Sequence, residues 1–200
     1  MYEIQTISSM EEMGRGNKAV IDVYNWGGDY RPYAWGKLCY IRDQGFGVEL
    51  YAQEKNPLAV HTGPNTAVCQ DSCLEFFAAF DSSRPQLYLN CEANANGALL
   101  CCWGTNVHPR PTVIELGAEH PKADVFFTEE GWGYRLFLPL SLFKQVCGVD
   151  HFSGGDTIRR SFYKCGDKTA HPHFGSYTNI SFERPNFHLP DTFADMVIVD

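Results

Sequence analysis

Side chains able to do chemistry fall at every second position in three stretches of this chain. In the run from Asp71 to Ala78, Glu75 lies opposite Leu74, Phe76 and Ala78, because successive residues of a strand point to opposite faces. In the run from Leu87 to Glu92, Tyr88, Asn90 and Glu92 share a face and alternate with Leu87, Leu89 and Cys91. If the two runs are neighbouring strands, Asn90 lies across from Glu75 and a polar cluster forms on a sheet surface. In the third stretch Arg160, Phe162 and Lys164 line one face, and Arg159, Ser161 and Tyr163 line the other. We place Arg160 at the site and Arg159 towards solvent or a carboxylate partner. Carboxylates, amides and cations in such an array can bind a polar ligand with defined geometry. The same residues could equally be solvated groups on an outer sheet face, and spacing alone does not separate the two.

Metal and thiol chemistry have weaker signals. His171-Pro172-His173 places two imidazoles at i and i+2, with Asp167 upstream and His188 downstream. On a strand such a pair can share a metal; Pro172 favours loop histidines that pin the backbone instead. No EF-hand spacing is present, so any calcium site would be built from scattered Asp and Glu oxygens. The chain has eight cysteines, most of them inside apolar runs such as Leu38-Cys39-Tyr40 and Leu100-Cys101-Cys102-Trp103. Buried thiols behave as small hydrophobes. The stretch from Met1 to Ala19 is not a secretory signal. The expectation is therefore reduced thiols and a cytoplasmic address. No local motif supports a Cys–His nucleophile.

The rest of the composition fits an ordinary folded domain spanning residues 1–200. Hydrophobic residues make up 44%, charged residues 20% and aromatics 14%, with a formal net charge of −8. Arg159-Arg160 is the longest basic cluster, which argues against nucleic acid or an anionic membrane as partner. Strand signals recur between turn residues: Ala19–Tyr24, Val48–Ala52, Leu74–Phe80, Leu87–Asn94, Ala98–Trp103, Val125–Phe127, Tyr134–Leu138, Ser161–Cys165 and Met196–Val199. Asn96-Gly97 predicts a hairpin. One short helix is predicted over Ser141–Val146, after Pro139 and before Gly148. The fold class is all-β: an antiparallel sandwich of immunoglobulin-like or jelly-roll-like kind, with one short helix and a long C-terminal loop region. The loop-rich segment from Gly166 to Pro190 is the first place to look for a site, because long loops in compact domains are usually functional.

Three stretches together carry a family resemblance. They are Gln70-Asp71-Ser72-Cys73-Leu74-Glu75-Phe76-Phe77; Tyr88-Leu89-Asn90-Cys91-Glu92-Ala93-Asn94 with Asn96-Gly97; and Phe162-Tyr163-Lys164-Cys165-Gly166-Asp167, continuing through His171-Pro172-His173-Phe174 to Pro185-Asn186-Phe187-His188-Leu189-Pro190. In order and spacing the chain resembles the family 9 carbohydrate-binding modules from about Lys18 to its end. The resemblance implies a β-sandwich with a sugar site at one edge, no catalysis and, in some relatives, a structural calcium ion. It also carries a departure: Cys69 stands where the family has an aromatic clamp.

A pyranose needs an aromatic plate for its C–H face and charged or amide groups for its hydroxyl rim. The expected ligand-binding set is Asp71, Glu75, Asn90, Arg160, Lys164 and His173 as polar groups, with Trp103 or Tyr177 as plate. Trp132, beside Gly133, is a further rim candidate. No catalytic residue is expected, and no cofactor is required. Any link to glycoside hydrolysis would run through a partner enzyme. Rival readings are a protein-interaction module, a haem-binding sandwich, and a glycosidase using Glu75 with Glu92 or Asp71.

Overall fold

The computed structural model describes all 200 residues. Thirteen strands form one continuous sheet: β1 (Tyr2–Ile7), β2 (Ala19–Ile21), β3 (Val23–Gly27), β4 (Ala34–Ile41), β5 (Gly45–Ala52), β6 (Cys73–Ala79), β7 (Tyr88–Asn94), β8 (Leu99–Gly104), β9 (Asp124–Phe127), β10 (Trp132–Pro139), β11 (Thr157–Cys165), β12 (His173–Ser176) and β13 (Ala194–Val199). The main path runs β8-β7-β6-β11-β13-β1-β4-β5-β10-β9, with β2 on β4, and β12 bridging β11 to β3. The single helix, α1 (Leu140–Cys147), ends at Gly148 in the left-handed conformation, a common helix stop.

The sheet curls until its two halves face each other. Phe46 on β5 packs 5.1 Å from Phe80 beyond β6. The Tyr134 hydroxyl on β10 donates to the Leu74 carbonyl on β6. Between the layers lie Leu38, Val48, Leu50, Leu74, Phe76, Leu89, Leu136 and Phe162, all without exposed surface. The alternation read from the sequence for β6 and β7 assigns Leu74, Phe76 and Leu89 to this face.

The sheet is mixed rather than antiparallel. β1 pairs parallel with both β13 and β4. The N-terminal stretch reads as polar, yet Ile4, Thr6 and Ile7 are buried while Glu3 is exposed. A lone short strand inserted between two distant ones shows no hairpin signal, so its pairing direction is invisible locally. The segment after Gly166 is not all loop either: β12 lies between two irregular stretches, 166–172 and 177–189.

A second, smaller core forms on the outer face of β6, β7 and β11. Phe77, Tyr88 and Tyr163 are covered there by Ile180, Phe187 and Phe193 from the C-terminal segment. Trp26 Nε1 donates to the Phe182 carbonyl, and Asn25 Nδ2 to that of Ile180, which ties the segment to β3.

The neighbouring strands β5 and β10 approach closely at Gly45. Gly45 has φ +150°, and a Cβ there would lie 2.1 Å from the Leu138 carbonyl oxygen of β10. Gly45→Ala is expected to lower the unfolding free energy by about 1–3 kcal/mol, the cost of strained backbone geometry. Urea denaturation measures it, and an unchanged midpoint would mean that the β5–β10 spacing is slack.

Candidate functional site

The outer face of β6 and β7 carries two carboxyl groups as direct cross-strand partners, Glu75 and Glu92. Both are buried, at 2% and 4% exposure. β11 pairs with β6 on its other side and sets Cys165 opposite Cys73, and Tyr163 opposite Glu75. Above this floor the 184–188 segment arches over from the second core. Together they enclose a cavity of about 470 Å³ lined by Cys69, Glu75, Glu92, Cys165, Asp167, Phe174, Arg184, Pro185, Asn186, Phe187 and His188.

The floor is organised by a chain of hydrogen bonds. Arg110 lies over the Tyr88 ring, 3.9 Å from its centroid. It donates through Nη2 to the Tyr88 carbonyl and through Nε to Asn90 Oδ1. Asn90 in turn donates to Glu92 Oε1 at 2.8 Å. Burial pushes the Glu92 carboxyl up to about 7. Burial, and then the neighbouring Glu92 charge, push Glu75 well above the usual carboxylate range. Near neutral pH the pair therefore offers both donors and acceptors to a ligand, because a protonated carboxyl donates as well as accepts. The roof is equally fixed. Phe187 stacks on Tyr163 with centroids 4.2 Å apart and planes 10° from parallel. His188 Nδ1 and the Tyr88 hydroxyl lie 2.8 Å apart.

Of the eight residues expected to bind ligand, Glu75 lines the cavity; Asn90, expected across from Glu75, is instead paired across from Phe77 and reaches the cavity only through its bond to Glu92. The other six lie elsewhere. Asp71 is wholly buried, and accepts hydrogen bonds from the Val60 and His61 amides and from Asn94 Nδ2. That fixes the 58–61 loop to β7. Arg160 and Lys164 do share a face, as the alternation predicted, but it is the inner one: Phe162 between them packs on Phe76 in the main core. Arg160 is held 3.9 Å from Phe162 and 4.1 Å from Tyr2, its guanidinium against the rings without a hydrogen bond. Tyr177 packs beside that arginine. Trp103 and Trp132 are core residues, at 5% and 0% exposure.

Lys164 belongs to a buried polar network. Its Nζ donates to His173 Nε2 at 2.7 Å and lies 3.2 Å from Glu54 Oε2. Glu54 also accepts from Trp132 Nε1 and Ser72 Oγ. His173 Nδ1 lies 2.8 Å from the His171 carbonyl. Both ring nitrogens of His173 are thus used, Nδ1–H as donor and Nε2 as acceptor, and His173 and His171 do not converge on a shared metal position.

Burial and then the Lys164 charge lower His173 to about 4. A base whose folded pKa is depressed contributes stability above its unfolded value near 6.5, and that contribution is lost as pH falls towards the folded value. Relative to a His173→Gln variant, the wild type should therefore lose stability as pH drops from about 6.5 to 4. Paired urea curves across that range measure the difference, and parallel pH profiles would show that His173 does not titrate as described.

Sequence reasoning missed Glu92, Cys165, Phe174, Arg184, Phe187 and His188 as lining residues. Two signals pointed to them: the shared face of Asn90 and Glu92, and the 166–190 segment, which supplies Asp167, Phe174 and every roof residue. Cys69, at the expected clamp position, does line the cavity, half-buried.

Known structures share this architecture. A candidate carbohydrate-binding protein from Bacteroides uniformis ATCC 8492 superimposes with a TM-score of 0.79 at 26% identity, over 98% of each chain. A family 9 carbohydrate-binding module from Caldicellulosiruptor kristjanssonii, solved with cellotriose, gives 0.70 at 12% identity over 98% of this chain and 92% of that one. The same module with glucose gives 0.66, also at 12% identity, over 98% and 95%. No curated protein sequence matches significantly. The sequence model of carbohydrate-binding family 9 matches residues 7–198, nearly the whole chain. The chain belongs to carbohydrate-binding family 9.

Proposed function

We propose that this chain is a non-catalytic module that binds a glucose-class saccharide in the cavity between the Glu75–Glu92 floor and the 184–188 roof. The observation that carries this reading is the convergence in one cavity of three carboxyl groups, an arginine, an asparagine and two phenylalanines. Its volume falls within the roughly 300–1,000 Å³ usual for small-molecule sites. The carboxyl pair can accept and donate to adjacent hydroxyls, Arg184 and Asn186 can close the rim, and Phe174 or Phe187 can present a ring to the C–H face. Phe174 and Phe187 replace the expected Trp103 and Tyr177 in that role. The cellotriose and glucose seen in the Caldicellulosiruptor module support the choice of ligand class.

The carboxyl pair argues against a glycosidase. A glycosidase sets its two carboxyls on either side of the scissile bond. Glu75 and Glu92 are instead neighbours on the floor, the third lining carboxyl, Asp167, follows directly on β11 beside them, and the roof, Arg184 to His188, brings no carboxyl.

A thermal-shift panel of mono- and oligosaccharides tests the reading. A ligand that binds only the folded state adds about 2.7 kcal/mol of stability at a hundredfold excess over its dissociation constant. Glucose or β-linked gluco-oligosaccharides should raise the melting temperature, and chromogenic glycosides should remain uncleaved. A panel flat at millimolar sugar would refute the proposal.

A further inference from the structure

The cavity floor holds a second arrangement, which shares Glu75 with the proposed saccharide site. Cys73 and Glu75 are two residues apart on β6 and so face the same way, and Cys165 is the direct cross-strand partner of Cys73 on β11. One ligand atom from each of the three lies within 4.8 Å of the others. Cys165 Sγ is 3.0 Å from Glu75 Oε1. All three side chains are buried, at 0%, 2% and 2% exposure. That thiol is the one hydrogen-bond donor Glu75 receives, and thiols are weak donors. The nearest cationic side chain of β11, Lys164, points to the other face and is already engaged by Glu54 and His173.

We propose that Cys73, Glu75 and Cys165 form a binding site for a thiolate-preferring divalent cation of the zinc class. Zinc takes sulfur at about 2.3 Å and carboxylate oxygen at about 2.0–2.2 Å in tetrahedral sites. Ligand atoms around such an ion lie about 3.4–3.8 Å apart, as those bond lengths require. Small side-chain rotations bring the three atoms to that spacing. On binding, both thiols and the Glu75 carboxyl release their protons to solvent and coordinate as two thiolates and a carboxylate. Two sulfurs select a softer ion than calcium or magnesium. Glu75 and Cys165 both line the cavity, which gives the ion a route in and leaves the fourth position facing it, beside Glu92 and Cys69.

The test uses the full chain, stripped with chelator and kept reduced. Cobalt(II) is titrated as a spectroscopic probe, and zinc is titrated in competition with a chromophoric chelator. The expected result is one equivalent bound, with a cobalt–thiolate charge-transfer band that zinc abolishes. A Cys73→Ser, Cys165→Ser double variant should lose both, and Cys39→Ser, remote from the cavity, should keep them. Should the double variant fail to fold, alkylation of the wild type with and without zinc, mapped by mass spectrometry, gives an independent reading: zinc protects Cys73 and Cys165. Unchanged binding in the folded double variant, no charge-transfer band, alkylation indifferent to zinc, or a Cys73–Cys165 disulfide in freshly purified protein would each overturn the proposal. These readouts need no sugar, so they stand or fall separately from the saccharide reading.

Discussion

Lys164→Met is expected to lower the unfolding free energy by about 3–5 kcal/mol and to leave the saccharide affinity of the folded fraction unchanged. The reason is the partner it abandons. Glu54 is buried, at 7% exposure. Burial pushes its carboxyl up, but the Lys164 charge, followed by the bonds from Trp132 and Ser72, holds it below the usual carboxylate range. Removing the lysine leaves a buried carboxylate without its counter-charge, and that costs far more than an exposed ion pair contributes. Adding Glu54→Gln should restore most of the loss, because no uncompensated charge then remains. Urea denaturation of the two variants measures this. A Lys164→Met protein as stable as wild type but unable to bind sugar would return Lys164 to the site, where the sequence alone had placed it.

The second large effect runs the other way, on binding without stability. Arg184 is exposed on the roof of the cavity. Its loss removes one charge-assisted hydrogen bond, about 1.5–3 kcal/mol, or an affinity about ten- to a hundredfold weaker. The melting temperature should barely move, since exposed loop substitutions usually stay within about ±0.5 kcal/mol. Phe174→Ala should weaken binding through the lost ring face. Calorimetric titration with cellotriose measures both. Wild-type affinity in Arg184→Ala and in Phe174→Ala would show that the cavity is not where the sugar sits.

These two results separate what could be read locally from what could not. Alternation assigned both faces of β6 and β7 correctly, because each has one face on the main core and polar groups concentrated on the other. It also grouped Arg160, Phe162 and Lys164 correctly. It failed to say which face of β11 looks outward, because β11 is central and covered on both sides: Tyr163 is as fully buried as Phe162. Two cations on one face suggested a polar surface. In the fold they are buried charges, one answered by Glu54 and one by aromatic rings. Trp103 beside Gly104 suggested a strand end open to solvent, but the 111–113 segment closes over it, with Trp103 N donating to the Pro111 carbonyl. The long segment after Gly166, expected to carry a site, supplies the roof of the cavity. Which of its side chains point inward was not legible, since that follows from the anchoring of residues 180–182 by Asn25 and Trp26, more than 150 positions away.

Whether a saccharide sits between the Glu75–Glu92 floor and the 184–188 roof is measured by backbone amide shift mapping during a cellotriose titration. Saturable perturbations are expected to concentrate at Cys69, Glu75, Glu92, Cys165–Asp167, Phe174 and Arg184–His188, with Arg160 and Tyr177 unmoved. Perturbations centred on Tyr2, Arg160 and Tyr177, or none that saturate, would contradict that placement.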